Sequence, residues 1–358
     1  MLPADMCAQE RDSQMHKTVK LGIVGVRMLG QWHVECVANL DGVEVAAVAD
    51  NAETFDVVGK GEMSLADYAD SIGAAAYTDG ADMIENADID AVSLCVSPKW
   101  REPLMVAAAR RQLPVNMEKP MACDTAQGEK LAKIAADAGI MLMMEYPLRY
   151  FPAMEKLRSL LGDGLLGKPL SVTGELQACF MYPKDHWAWD PKNGNGFLNE
   201  SITHLYDTLC FICGKPVNVY AKGGAYKGGS NMADAALALI EFENGSYAAA
   251  NGGAIGTTSF RTPMYVHVFA ENGEARVTGP DWMYDRIEWA TTDDREMNVE
   301  EFGLPHRRQI MIYNLEHFAA CVRDGLAPSC DAEDGLNCMR IVDGLRESMA
   351  TGNVVELT

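Results

Sequence analysis

Leu21-Gly22-Ile23-Val24-Gly25-Val26-Arg27-Met28-Leu29-Gly30 is the stretch on which the fold turns. An apolar, β-branched run from Val19 to Val26 breaks on glycines, and Met28 to Leu40 then carries the apolar spacing of a helix. Strand, glycine turn and helix in that order open a βαβ unit, the kind in which a nucleotide-binding turn is found. The dinucleotide fingerprint Gly-x-Gly-x-x-Gly reads here as Gly25-x-Arg27-x-x-Gly30. The middle glycine, which lets the backbone approach a pyrophosphate, is replaced by an arginine that adds both bulk and positive charge. Taken alone, this is equally a plain strand–helix turn. In the dinucleotide reading, Gly25, Val26, Arg27, Met28 and Leu29 face the cofactor.

The context favours the dinucleotide. A second apolar strand, Val43 to Ala49, ends at Asp50, where an acid can accept hydrogen bonds from an adenosine ribose. A carboxylate there repels a 2′-phosphate, so NAD is expected, with NADP as the alternative because Arg27 could pair with that phosphate. The other reading of Asp50 is a strand-end turn or helix cap. Further strands are expected at Ile89 to Val96, before Ser97-Pro98, at Val115 to Met117 and at Ile140 to Glu145. Helices are expected at Pro103 to Arg111 and Gln127 to Ala138. Alternation of this kind predicts an α/β fold with a doubly wound parallel sheet and right-handed crossovers.

Beyond about residue 150 the pattern changes. Tyr150 to Leu161 reads as a helix. Leu170 to Phe180 and Val217 to Val277 read as β-rich segments cut by Gly, Asn and Asp turns, with Ala235 to Phe242, Ser246 to Asn251 and Tyr265 to Ala270 as examples. One helix, Asn199 to Cys213, interrupts them. A helical tail runs from Ile310 to Ala350 with turns at Gly325 to Pro328 and at Gly335. The expected division is a flexible leader (1–17), a Rossmann domain (18–147) and a substrate and oligomerisation domain (148–358) on a large, open, mostly antiparallel sheet, with the last helices packing back on the first domain. The acidic stretch Thr291 to Glu301 reads as a solvated loop or strand edge.

Two stretches carry chemistry. Asn116-Met117-Glu118-Lys119-Pro120 puts a lysine where a strand must turn, because proline removes a backbone donor and fixes φ. Open α/β sheets bind ligands at such carboxyl ends, so Lys119 can aim an ammonium group at a cofactor and substrate. In Asn193-Gly194-Asn195-Gly196-Phe197-Leu198-Asn199-Glu200-Ser201-Ile202-Thr203-His204-Leu205-Tyr206-Asp207, the spacing puts Glu200, His204 and Asp207 along one side of a helix. An imidazole one turn from a carboxylate suits proton abstraction from an alcohol, with Lys119 opposite to lower the alcohol's pKa. A surface Glu–His pair on an amphipathic helix explains that segment alone equally well. His186, Trp187 and Trp189 either line a sugar-sized pocket or form a packed loop. His33 reads as packing, and His16, His267, His306 and His317 have no supporting constellation.

Composition narrows the classes. The net charge of −21 argues against nucleic acid and anionic membranes as partners. No apolar run approaches the roughly 20 residues of a membrane span. Met1 to Lys17 has no apolar signal core. Ten cysteines without framework spacing fit a reducing cytoplasm. Cys210-Phe211-Ile212-Cys213 lacks a second pair and reads as core packing, and no zinc spacing is present, so no metal is expected.

Taken together, these residues resemble the Gfo/Idh/MocA family from about residue 18 to the end. The markers are the Gly22/Gly25/Gly30 loop with His33, Asp50, Val96-Ser97-Pro98, Glu118-Lys119-Pro120, Arg149, Gly194-x-Gly196 and Glu200-x-x-x-His204-x-x-Asp207. The tail Phe318…Arg323-Asp324-Gly325…Glu333-Asp334-Gly335…Ser348…Gly352 is similar to the family's ending. The resemblance implies NAD(P)-dependent hydride transfer on a sugar, cyclitol or related polyol. It implies Lys119 as the catalytic lysine, His204 as general acid/base and Glu200 as the supporting acid. Ser97, Pro98, Glu118 and Lys119 fall on the cofactor side, and Lys119, Arg149, Trp187, Glu200 and His204 on the substrate side. It also implies a homodimer or homotetramer. Four departures stand out: Arg27 replaces a glycine, Asn195 interrupts a run of glycines, Glu200 stands where aspartate is usual, and Lys99-Trp100-Arg101-Glu102 occupies the place of a histidine. Relatives that recycle a tightly bound NAD, and relatives that only sense nucleotides, define the alternative functions.

Overall fold

The computed structural model describes residues 18–228, 230–261, 264–303 and 308–357. The expected leader, with His16, and also His306 lie outside these residues.

The first half is built on a six-stranded, wholly parallel sheet. Its strands are β1 (Val19–Val24), β2 (Val43–Ala49), β5 (Ala75–Tyr77), β6 (Ala91–Leu94), β7 (Val115–Glu118) and β8 (Leu142–Glu145), in the order β5-β2-β1-β6-β7-β8. The strands are mostly buried, with apolar residues predominating, because helices cover both faces. Those helices are α1 (Met28–Val37), α2 (Leu65–Ile72), α3 (Gly80–Asn86), α4 (Arg101–Arg111) and α5 (Thr125–Ala138). Strand order reverses between β1 and β6, so the crevice for a ligand opens at the carboxyl ends of those two strands. A hairpin of β3 (Thr54–Val57) and β4 (Gly61–Ser64) precedes α2. The sequence reading passes over residues 54–86, yet two capping signals mark the helices there. Ser64 Oγ accepts from the Asp67 amide at the start of α2, and Asp79 Oδ1 from the Asp82 amide at the start of α3.

After α6 (Pro152–Gly162) comes a nine-stranded sheet. Its strands are β9 (Pro169–Gln177), β10 (Pro216–Gly224), β11 (Ala235–Phe242), β12 (Tyr247–Gly253), β13 (Met264–Ala270), β14 (Gly273–Gly279), β15 (Arg286–Thr291), β16 (Asn298–Glu301) and β17 (Val355–Glu356). The order is β16-β15-β14-β13-β9-β12-β11-β10-β17. Only β9 and β12 pair in parallel; the other pairs are antiparallel. The acidic stretch ends in β16, an edge strand that charge protects from further pairing. One face of the sheet is buried by helices, which gives the alternation of buried and exposed residues along β11. The other face exposes Leu237, Leu239, Tyr247 and Phe269.

Two expectations are corrected. The helix expected over Asn199 to Cys213 is two helices, α7 (Phe197–Glu200) and α8 (Thr203–Cys213), parted at Ser201-Ile202. Gly335 is not a turn. It lies inside α10 (Ala332–Thr351), which follows α9 (Arg308–Asp324), and a β-carbon there would come within 2.9 Å of Met121 and Met144. Glycine thus lets α10 seat directly on the first half. Asp343 Oδ2 accepts from the Thr125 amide at 2.7 Å across the same seam, while Ser348 Oγ donates to Asn353 O and accepts from the Ala221 amide on the other side.

Candidate active site

At the switch point, Gly25 takes φ +88° and hands the chain to α1. A β-carbon on Gly30 would sit 1.9 Å from the Gly25 carbonyl oxygen, so only glycine allows the first turn of the helix to close on the loop. No side chain caps the N-terminus of α1. A helix start without a side-chain cap suits the binding of a pyrophosphate. These features fit a dinucleotide.

Asp50 is nearly buried and already engaged. Its Oδ2 accepts from the Val26 amide at 3.1 Å and from Arg27 Nε at 3.3 Å; its Oδ1 accepts from the Ala52 amide at 2.9 Å. Arg27, with 62% of its side chain exposed, spans from Asp50 to Asn51 Oδ1. Arg27 therefore does not crowd the loop. It swings over the end of β2 and neutralises the acid expected to repel a 2′-phosphate.

Ser97 and Pro98 start the single turn before α4. Behind them is a residue that sequence reasoning noted only as a departure. Arg101 is 1% exposed and donates Nε and a terminal nitrogen to the Val96 carbonyl at 3.0 and 2.9 Å. Its other terminal nitrogen donates to the Pro120 carbonyl and, at 3.1 Å, to that of Met121. Arg101 thus ties the loop after β6 to the loop after β7. Burial pushes its guanidinium down to about 10.

Glu118 ends β7, and the Lys119–Pro120 peptide that follows is cis. One Glu118 oxygen accepts from the Lys119 amide at 3.1 Å, and the other lies 3.3 Å from His33 Nε2. That same nitrogen is 3.2 Å from Glu145, and His33 Nδ1 is 3.0 Å from Ser93 Oγ. All three side chains are buried. Burial opposes an imidazolium, but Cys95, Glu145 and Glu118 around it outweigh this and hold His33 well above its ordinary value. His33 is not mere packing; it joins two buried strand-end carboxylates.

Lys119 Nζ lies 2.7 Å from Glu200 Oε1 and 2.8 Å from the Glu200 carbonyl oxygen. The break between α7 and α8 makes the second bond available. In an unbroken helix that carbonyl would bond to the His204 amide. Both side chains are almost enclosed, at 12% and 9% exposure. Burial raises Glu200 above the usual carboxylate range, with Lys119 pulling the other way. His204, near the start of α8, packs edge-on against Tyr146 and Trp282, each centroid 6.1 Å away. Tyr146 in turn bonds Thr203 Oγ1 at 2.8 Å. The loop entering α7 is anchored to the segment after Lys119. Asn199 Nδ2 donates to the Ala122 carbonyl at 3.0 Å, and Cys123 Sγ to that of Asn193 at 3.0 Å. The two halves of the chain meet at the Lys119 turn.

Arg149, expected at the substrate, is buried elsewhere. It donates to Asp207 Oδ1 at 3.0 and 2.6 Å, to the Ser329 carbonyl at 2.7 Å and to Asp334 at 3.1 Å. Asp207 is accordingly Arg149's partner, and the pair binds α8 to the start of α10. Trp187 is 38% exposed, in a loop where Tyr182 stacks on His186 at 4.3 Å and donates to or accepts from Ser201 Oγ at 2.7 Å. Trp282 and Tyr182 had no place in the sequence reading. The Gly279-Pro280-Asp281 turn signal was the available pointer to Trp282.

Among the described residues, His33, Glu118 and Glu145 are the one set of three or more His, Cys, Asp or Glu side chains whose donor atoms all lie within 4.8 Å of one another. One imidazole nitrogen, His33 Nε2, links the two carboxylates, 3.3 Å from Glu118 and 3.2 Å from Glu145.

Residues 19–146 match the oxidoreductase family's NAD-binding Rossmann fold, and residues 154–276 match the GFO/IDH/MocA C-terminal domain. The chain is 24% identical over 353 residues to myo-inositol 2-dehydrogenase of Thermotoga maritima, covering 95% of this chain and 98% of that one. It is 21% identical over 368 residues to D-apiose dehydrogenase of Paraburkholderia graminis, covering 95% and 90%. Its fold superposes on levoglucosan dehydrogenase in complex with NADH and L-sorbose with a TM-score of 0.84 at 17% identity, covering 96% and 99%. No helix among the described residues is long and apolar enough to cross a membrane. A glycine cradle at the switch point, a lysine turn where two halves of the chain meet, and matches along both halves make this chain a NAD-binding oxidoreductase of the GFO/IDH/MocA family.

Proposed function

We propose that the chain is an NAD-dependent dehydrogenase of a sugar, cyclitol or related polyol, and that Lys119, Glu200 and His204 form its catalytic centre. The observation that carries this is the enclosed Lys119–Glu200 pair, with His204 four residues on, across the break between α7 and α8. In this reading residues 18–147 hold the dinucleotide, and the chain from 148 onward supplies the substrate side. Gly25 to Leu29, Ser97, Pro98 and Glu118 shape the cofactor cleft, with Asp50 and Arg27 at its adenosine end.

NAD, when bound, supplies the hydride acceptor. His204 takes the hydroxyl proton of the substrate. Lys119 stabilises the alkoxide that develops, a charge worth most where water is excluded. Glu200 holds the ammonium in place until substrate arrives, through its carboxylate and its main-chain carbonyl. Trp187 stands at the rim as a further substrate contact. Arg149 serves this site through the position of α8.

A second copy of the chain covers the exposed face of the nine-stranded sheet, which presents Leu237, Leu239, Tyr247 and Phe269. Light scattering at micromolar concentration then reads a dimer or tetramer, and a monomer would refute that part. None of the described cysteines forms a disulfide, which suits a reducing compartment.

The test is NADH formation at 340 nm over a panel containing myo-inositol, D-glucose, D-apiose and levoglucosan, with NAD and NADP in parallel. Turnover of at least one polyol or sugar with NAD is expected. Cofactor released only on denaturation, with no net NADH formed, would support the recycling alternative. Cofactor binding with no reaction across the panel would support the nucleotide sensor.

A further inference from the structure

The turn between β14 and β15 is built against local preference. Met283 donates its amide to the Pro280 carbonyl at 3.0 Å, closing a four-residue turn around Asp281 and Trp282. Both central residues have positive φ, +51° and +67°. That conformation normally calls for Asn-Gly, and a bulky side chain such as tryptophan is an outlier there. The turn is held from outside. Arg261, itself at φ +56°, accepts the Asp281 amide on its carbonyl at 2.8 Å and pairs its guanidinium with the Asp281 carboxylate at 2.9 Å. Five non-glycine residues among those described have positive φ: Gln112, Asn195, Arg261, Asp281 and Trp282. Three of them meet at this turn, and Asn195 lies on the loop into α7. Strain so concentrated persists only where surrounding structure enforces it.

What the strain secures is the place of one ring. Trp282 lies 6.1 Å from the His204 imidazole at 76°, and 6.1 Å from Phe180 at 37°. Phe180 is 42% exposed and packs on Phe197, the first residue of the helix that carries Glu200. Trp282 and Phe180 therefore make one aromatic wall that adjoins both the proton acceptor and the helix of the lysine's partner. Such a wall has no hydrogen-bond specificity. It complements the flat C–H face of a ring, while an open-chain polyol presents no such face.

We infer that Trp282 is a specificity-determining residue: its indole forms the wall on which a cyclic polyol or sugar ring lies while His204 addresses one hydroxyl. This rests on the reading of the site given above. Glycine is the favoured residue at the second turn position, so Trp282→Gly relieves strain and preserves the turn. Trp282→Phe keeps an aromatic face.

The experiment measures kcat and KM for myo-inositol, D-glucose and D-mannitol, and NADH affinity by fluorescence, in wild type and both variants. Trp282→Gly is expected to raise KM for the cyclic substrates at least tenfold. It should leave NADH affinity and the constants for D-mannitol within threefold, and Trp282→Phe should recover most of the loss. Unchanged KM for the cyclic substrates overturns the inference. So does an equal fall of kcat on every substrate, which would make the ring only a support for His204. If wild type turns over none of the three, the functional reading is judged separately, on the wider substrate panel. Calorimetric titration of the NADH-loaded protein with myo-inositol and D-glucose then decides. Wild-type binding that weakens tenfold in Trp282→Gly supports the wall, and absence of binding or equal binding overturns it.

Discussion

The ammonium of Lys119 is bound twice by Glu200, at 2.7 Å through the carboxylate and at 2.8 Å through the main-chain carbonyl. The second bond depends on a helix break between Glu200 and His204. A site built this way is sensitive to the exact length and charge of residue 200.

Glu200→Gln keeps an acceptor near Lys119 but removes the charge, and kcat/KM should fall about 100-fold, the scale of losing one charged stabilising contact in a catalytic site. Glu200→Asp should retain more activity than Glu200→Gln. Because burial raises Glu200 in the folded protein, it ionises at a higher pH than an ordinary glutamate. The acid limb of the kcat/KM profile should therefore lie above the usual carboxylate range and vanish in Glu200→Gln. A profile with an identical acid limb in both proteins contradicts this role.

His33 is predicted to give the fold a pH signature. Its folded pKa lies well above 6.5, so its stabilising contribution is fully present below about pH 6.5 and is lost as pH rises through the folded value. His33→Gln leaves two buried carboxylates without their cation, which typically costs about 3–5 kcal/mol. Urea unfolding of variant and wild type should show that difference at pH 6 and a smaller one at high pH. A pH-independent difference would mean that His33 is neutral.

Strands β1, β2, β6, β7 and β8, the glycine turn and the Lys119 turn were legible because each is local: apolar runs of strand length, glycine where the backbone closes, proline where a strand must stop. The partners of the charged residues were not. Helical spacing put Glu200, His204 and Asp207 on one face, yet Glu200 turns to Lys119, 81 positions away, and Asp207 to Arg149, 58 away. A two-residue break at Ser201-Ile202 changes which carbonyl is available, and nothing in that polar–apolar pair forbids a helix. The strained turn at Trp282 escaped notice for the opposite reason: local preference argues against it, and distant contacts impose it.

Arg101 offers a test of coupling between the two nucleotide-edge loops. Arg101→Met removes donors to three carbonyls while keeping side-chain bulk. Hydrogen bonds to a charged group are worth about 1.5–3 kcal/mol each, so a loss of several kcal/mol of stability is expected. The KM for NAD should rise about tenfold, and saturating NAD should recover much of the loss of Tm. A variant with unchanged KM for NAD would confine Arg101 to the core.

Arg27 sets the cofactor choice in this account. With Asp50 neutralised by Arg27, the adenosine end should tolerate a 2′-phosphate; Arg27→Ala exposes the carboxylate and removes the cation. The ratio of kcat/KM for NAD over NADP should rise at least tenfold, about 1.4 kcal/mol. A falling ratio would place Arg27 on another part of the dinucleotide.

The most direct test of the central claim is turnover by Lys119→Met and His204→Gln at saturating NAD, on whichever polyol the wild type oxidises fastest, with NADH affinity measured beside it. Each variant should bind NADH within a few-fold of wild type and lose about 100- to 10,000-fold in kcat. Full turnover in either variant would contradict the assignment of the catalytic centre.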